Sequence, residues 1–256
     1  MPAVLNYDDE ADRYDATRGG TARGRAAADA VLELLPADAS MLLDVGCGTG
    51  VVTQYVVRQS LAVIGVEPSR GMAAKAATRL PVILGSAERL PLHDGTVDAV
   101  CLIWILHLID DPRPAIAEIA RVLRPGGTLI ATVDKDAGHV VGSDIDALLA
   151  PYRRGAATDD FGRICRYARE CDLIPAGETA FTGRGMGLSP LDAAQKVRDG
   201  YFASALNQPG AAARGIPADA ADSLARALED LPERSTPRPE PVFRLVAFHK
   251  RRPLAS

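Results

Sequence analysis

Asp44, Gly46, Gly48, Gly50 and Glu67 are the residues whose types and spacing could do chemistry together. An apolar run, Met41 to Val45, carries Asp44 and opens into glycines at alternate positions. Such a turn lets a ligand reach the backbone, because no side chain fills the space beside it. A helix is expected over Val51 to Gln59, with its first amides facing the polar groups of that ligand. Glu67 ends the next apolar run 21 residues after Gly46, where a carboxylate can accept hydrogen bonds from two ligand hydroxyls. A turn built for a dinucleotide pyrophosphate would need its third glycine at position 51, which is Val51.

Other candidates follow in chain order. Pro68 and Met72 come just after Glu67, and Ser86, Ala87 and Glu88 follow a third apolar run. Ile103 and Trp104 end a fourth, and His107 lies in the loop beyond. An imidazole has an ordinary pKa near 6.5, so His107 at a strand end is the candidate general base, against the alternative that it only packs the loop. Tyr14 and Arg18 lie in a polar N-terminal segment that composition alone would call a frayed end.

The elements needed to position these residues are legible from periodicity. Strands are expected at 41–45, 62–67, 81–85, 97–104 and 128–133, alternating with helices at 21–35, 51–59 and 114–123. Continuous apolar strands between helices imply a parallel sheet covered on both faces, with ligands at its carboxyl edge. Pro125-Gly126-Gly127 is expected to make a sharp reversal before strand five. Further on, helices are expected at 143–153, 159–172, 190–205 and 218–231. Strands at 178–182 and 242–249 would close the sheet as an antiparallel edge pair.

The series Leu43-Asp44-Val45-Gly46-Cys47-Gly48-Thr49-Gly50, Glu67, Gly85-Ser86-Ala87-Glu88-Arg89-Leu90-Pro91 and Arg121-Val122-Leu123-Arg124-Pro125-Gly126-Gly127 resembles the class I S-adenosylmethionine (SAM) dependent methyltransferases. The resemblance runs strongly from about Tyr7 to Val133 and is broadest to quinone-type and natural-product methyltransferases. It implies an α/β, Rossmann-like fold with a seven-stranded, mostly parallel sheet, helices on both faces and a helical insertion near the C-terminal strands. It also implies one domain over 1–256, with an N-terminal cover and helix at 1–36, a SAM-binding core at 37–135 and an acceptor-binding insertion at 184–240.

Carried onto this sequence, the resemblance assigns to SAM the residues Tyr14, Arg18, Asp44, Gly46, Cys47, Gly48, Gly50, Glu67, Pro68, Met72, Ser86, Ala87, Glu88, Ile103 and Trp104. Tyr14 and Arg18 would close over the methionine end, from Ala11-x-x-Tyr14-Asp15-x-x-Arg18. Ser86 stands where the family commonly has an aspartate that reads the adenine amino group, and a hydroxyl makes a weaker acceptor. His139, Tyr152, Tyr167, Arg184 and Tyr201 are candidate linings of the acceptor pocket, none marked out by spacing.

Composition narrows the partners. With 29 basic and 33 acidic residues the net charge is -4, which gives no general attraction to nucleic acid. The basic tail at 250–252 is too short to change that. The start of the chain is polar and acidic, and no apolar run reaches membrane-spanning length, so a cytoplasmic protein is expected, with no membrane partner. Four cysteines without a C-x-x-C pair point to a reducing compartment and no structural metal. The expected partner is a small-molecule acceptor, and a homodimer is the one higher assembly left open. Methyl transfer to oxygen, nitrogen or carbon is the expected reaction, with a non-catalytic SAM-binding sensor or assembly protein as its rival. The glycine spacing disfavours a dinucleotide oxidoreductase. An RNA methyltransferase is opposed by the net charge and by the lack of an Asn-Pro-Pro-Tyr type motif after strand four.

Overall fold

Seven strands form one sheet in the computed structural model, in the order β3-β2-β1-β4-β5-β7-β6. The structure describes residues 6–152, 157–200, 216 and 218–252. The strands are β1 (Met41–Val45), β2 (Ala62–Glu67), β3 (Val82–Leu84), β4 (Val97–Leu102), β5 (Leu123–Val133), β6 (Leu173–Thr182) and β7 (Val242–Lys250). Strands β1 to β5 pair in parallel, while β7 runs antiparallel to both β5 and β6. The order reverses between β1 and β4, and this switch point is where an open parallel sheet leaves a crevice beyond its carboxyl ends.

Two apolar layers sandwich the sheet. On one face α3 (Gly20–Leu34) buries Ala27, Ala28, Ala30 and Val31 against Leu42, Cys101, Ile130 and Leu245. On the other, α5 (Pro112–Val122) and α8 (Phe161–Glu170) bury Ile116, Ile119, Ile164 and Ala168 against Leu43, Val100, Leu102 and Leu129. Every residue of β4 is buried, as its unbroken apolar run requires in the middle of a covered sheet. Helices α1 (Tyr7–Glu10), α2 (Tyr14–Thr17) and α4 (Arg70–Ala76) lie beside the carboxyl edge, and α6 (Lys135–Gly138) follows β5.

Helices α7 (Asp144–Leu149), α9 (Pro190–Arg198) and α10 (Ala218–Glu229) form a satellite cluster around Ile145, Leu149, Ala194, Val197, Leu224 and Leu228. The helical region expected near the C-terminal strands is therefore joined by α7, which precedes β6. The expectations for 201–205, including Tyr201, fall outside the described residues, as does most of 201–217.

Two expectations are corrected. The helix expected over 51–59 is not formed: only a 3-10 turn, Thr53–Tyr55, is present. Val51, Val52, Thr53, Val56 and Val57 are β-branched and stiff, and the Thr53 hydroxyl donates to the Asp44 carboxylate. Pro125-Gly126-Gly127 does not reverse the chain either. It lies inside β5 as a bulge, with Leu123 opposite Val97 and Thr128 opposite Ala99, and Gly126 takes up the irregularity at φ 83°.

Candidate functional site

A cavity of about 310 Å³ opens at the switch point, and its floor is the glycine turn. The amides of Gly46 and Cys47 donate to the Val66 carbonyl, which folds the turn back over β2. Gly46 has φ 71°, and a Cβ there would overlap the Ile105 side chain. At Gly48, φ 56°, a Cβ would meet nothing within 4 Å, so it would stand in the cavity itself. That open face is the close approach to backbone that the alternate glycines imply.

Glu67 enters the cavity from the end of β2. One of its oxygens accepts from the Gly48 amide at 2.8 Å and the other from the Ser69 amide at 2.9 Å. Each oxygen keeps a further lone pair, so the carboxylate can still receive two ligand hydroxyls. It thereby fixes the turn and the start of α4, whose N-cap is Ser69, while facing the ligand space. Burial raises its pKa, opposed by the two amides. Asp44 is 3% exposed and is pushed up to about 6, chiefly by desolvation, against hydrogen bonds from Thr53 and Cys101. Two carboxylates short of solvation on one wall favour a cationic ligand group between them.

The roof comes from the N-terminal segment. Asp8 accepts from the Ser69 hydroxyl at 2.6 Å and the Gly71 amide at 2.8 Å. Asp12 pairs with Lys75 at 2.7 Å, and Asp15 receives the Thr49 hydroxyl and Arg79. These contacts hold Tyr7 and Tyr14 over the cavity, 6.2 Å apart between ring centroids.

The far wall is Trp104, at φ 59°, its indole edge-on to Phe181 and Phe243 with centroids 5.4 Å away in both cases. The Arg23 guanidinium lies 4.4 Å over the Trp104 ring and 5.8 Å from the centroid of Tyr14. Arg23 is 4% exposed and lines the cavity.

Of the residues expected to hold a ligand, Tyr14, Asp44, Gly46, Cys47, Gly48, Glu67, Pro68, Met72, Ser86, Ala87, Glu88, Ile103 and Trp104 share this cavity wall. Three do not. Gly50 packs against Leu80 and Ala76, a structural position at φ 75°. Arg18 stacks on Tyr14 at 5.2 Å, outside the lining. His107 is half-buried behind the wall, in a short turn, Leu106–Leu108. Its Nδ1 has no partner, and burial drives its pKa well below the usual histidine value, so the ring is neutral near pH 7.

Ser86 receives the Glu88 amide at 3.1 Å, which occupies part of its acceptor capacity. The acceptor-pocket candidates His139, Tyr152, Tyr167 and Arg184 line other surfaces: His139 meets Phe243, and Tyr167 lies under Arg113. Tyr7, Arg23, Thr49, Val51, Val52, Ile105, Leu108 and Ile109 complete the lining without having been singled out. Arg23 had a signal: it stands four residues before Ala27 and eight before Val31, on the apolar stripe of α3, where a cation is out of place.

The fold is the Rossmann-like fold of methyltransferases, and residues 43–131 match the methyltransferase domain family. Over 121 residues the chain is 42% identical to an uncharacterised methyltransferase of Mycobacterium tuberculosis, covering 45% of this chain and 49% of that one. Over 130 residues it is 38% identical to a demethylmenaquinone methyltransferase of Mycolicibacterium gilvum, covering 48% and 56%. The chain spans about half the length of the curated relatives it matches.

Among solved structures, the [4+2]-cyclase SpnF aligns with a TM-score of 0.60 at 24% identity, over 96% of this chain and 95% of that one. A SAM-dependent methyltransferase of Thermotoga maritima aligns with 0.56 at 19% identity, over 96% and 98%. These show the same Rossmann-like fold; chemistry has to be argued from the site. No helix among the described residues is long and apolar enough to cross a membrane.

Proposed function

We propose that this protein transfers a methyl group from SAM to a small-molecule acceptor by in-line displacement. The observation that carries this is the pair of desolvated carboxylates, Asp44 and Glu67, facing one cavity across the open backbone of Gly48. When bound, SAM supplies a methyl on a sulfonium cation whose charge disappears as the new bond forms. Glu67 would receive the ribose hydroxyls. Pro68, Met72, Ser86, Ala87 and Glu88 would hold the adenine, and the uncovered Gly48 would let the ligand lie against the turn.

Because charge is lost along the reaction, alignment and exclusion of water matter more than acid catalysis. Tyr7 and Tyr14 above the cavity and Ile103 and Trp104 at the end of β4 supply both, by walling the passage on two sides. His107 is not part of the cavity lining, so it suits positioning of the 103–109 loop better than proton removal. Relatives named as demethylmenaquinone methyltransferases support a flat, ring-bearing acceptor of the quinone-precursor type.

Calorimetry with SAM, S-adenosylhomocysteine and NAD tests the site. Incubation with labelled SAM and a panel of phenols, amines and quinone precursors tests the reaction. Binding of both adenosyl ligands, no binding of NAD and label on an acceptor is the expected result. Tight NAD binding with no SAM signal overturns the proposal, and SAM binding without transfer to any acceptor would leave only a SAM-binding role.

A further inference from the structure

The cavity wall that carries Ser86, Ala87 and Glu88 belongs to a connection of turns and bends, residues 85–96, between β3 and β4. Ser86 closes a tight turn there: its carbonyl accepts from the Arg89 amide at 3.2 Å and its hydroxyl from the Glu88 amide at 3.1 Å. Upstream the turn is tied to the sheet, because the Gly85 amide donates to the Glu67 carbonyl at 3.2 Å. Downstream it is tied by side chains instead. Leu90 is 4% exposed, so its amide and its carbonyl both need partners. Glu118 and Arg121, one turn apart on α5, supply them. Glu118 accepts from the Leu90 amide at 2.8 Å, while Arg121 donates to the carbonyls of Leu90 at 3.2 Å and Leu92 at 2.9 Å.

The pair is closed on itself by two hydrogen bonds of 2.8 Å, and Arg121 also reaches Asp94 at 2.7 Å. The Arg121 guanidinium holds the Glu118 carboxyl below its usual range, so both stay charged at neutral pH. An ion pair this near solvent contributes little stability by its charge alone. Its rigid fork is directed at backbone, however, and therefore fixes where the connection stands.

We propose that Glu118 and Arg121 are positioning residues that set, through the Leu90 backbone, the nucleobase selectivity of the turn from Ser86 to Glu88. The proposal rests on the cavity taking an adenosyl ligand. Adenine offers a donor at its 6-amino group and an acceptor at N1, and hypoxanthine reverses both. A hydrogen bond holds only over a narrow range of distance and angle, so a fixed turn rejects the reversed edge. A turn released from α5 can re-form around either nucleobase, and it holds adenine less well.

S-adenosylhomocysteine and S-inosylhomocysteine are titrated by calorimetry into the parent, Arg121→Met, Arg121→Lys and Glu118→Gln. The parent should favour the adenosyl ligand about 10-fold or more, the discrimination expected of a mismatched buried hydrogen bond. Arg121→Met should lose most of that margin by weakening the adenosyl ligand. Its affinity for the inosyl ligand should stay constant, which also shows that the variant folds. Arg121→Lys, a point charge without the fork, should keep part of the margin. Glu118→Gln should keep most of it, because its amide oxygen still accepts from Leu90.

A full margin in Arg121→Met, or an equal loss of both affinities, overturns the positioning role and leaves the pair as a contact of the fold. Should Arg121→Met fail to fold, Arg121→Lys decides on the same ratio, and a full margin there overturns the role. A parent that binds both ligands equally overturns it as well, while the adenosyl reading stands. A parent that binds neither overturns the adenosyl reading and this role with it.

Discussion

The floor and the roof of the cavity are built by different physics. The floor is backbone: amides of the glycine turn bonded to Val66 and Glu67, with Asp44 and Glu67 buried beneath. The roof is side chains: Asp8, Asp12 and Asp15 of the N-terminal segment grip α4, Thr49 and Arg79 through hydrogen bonds and ion pairs near solvent. Buried backbone bonds are expensive to leave unmade, whereas exposed ion pairs contribute little each. The floor should therefore stay fixed while the roof lifts to admit a ligand, and the following outcomes would sharpen or break that contrast.

The largest effect belongs to the floor. Asp44 is held at about 6 when folded, against 3.8 for an ordinary aspartate. Between those values the folded state binds the additional proton, so its contribution to stability falls as pH rises through that window, by about 3 kcal/mol in all. Urea melts should show the parent losing about that much stability relative to Asp44→Asn between pH 4 and pH 7. A constant difference across that range would mean Asp44 is well solvated and the floor is not a desolvated wall.

Next comes ligand affinity. Glu67→Ala should weaken S-adenosylhomocysteine binding by about 1.5 to 3 kcal/mol in calorimetry, the loss expected for hydrogen bonds to a charged group. Unchanged affinity would remove the ribose from Glu67.

The roof should respond without the floor. A Cβ on Gly71 would stand 2.8 Å from the Asp8 carbonyl oxygen and 2.9 Å from its Cα, backbone atoms that no rotamer change can move aside. Gly71→Ala should speed amide exchange over residues 7–17 and release of S-adenosylhomocysteine several-fold, with exchange in β1, β2 and β4 unchanged. Equal acceleration in those strands would show that floor and roof are one cooperative unit.

The smallest effects come from solvent. Raising salt screens exposed pairs such as Asp12 with Lys75, so exchange over 7–17 should rise slightly. Asp8 has a lowered pKa from the Ser69 hydroxyl and the Gly71 amide. Its grip is present above the ordinary aspartate value and is lost as pH falls through the lowered one, so changes between pH 6 and 8 should leave the roof in place. Loosening in that range would place another titrating group in the latch.

Most of the floor could be read from the chain because it is local. Strand, glycine turn and second strand occupy 41–67 without interruption, and β1 and β2 have the boundaries their apolar runs indicate. Local pattern failed where a tertiary contact competed with it. Thr53 spends its hydroxyl on Asp44, and its segment of β-branched residues makes one short turn where nine residues of helix were expected. The Pro-Gly-Gly of β5 is absorbed as a bulge because Thr128 and the residues after it must stay in register with β4 and β7.

By itself the sequence determined the glycine turn, the acidic residue ending β2, the alternation of strands and helices and hence the family of folds. Those follow from side-chain period and backbone freedom, which act over a few residues. Only the tertiary structure decided which cation faces the cavity. Arg18 and Arg23 are five positions apart, both near Tyr14, and nothing in their local pattern ranks them. Arg23 lies on the α3 face that packs against the sheet, so its guanidinium is carried under Trp104, 81 residues further along the chain. Arg18 is left outside the cavity wall by the turn that separates α2 from α3. His107 was decided the same way: its position after β4 is local, but its lowered pKa comes first from burial in the fold and then from the charges of Lys135 and His139, which the fold brings in from beyond β5.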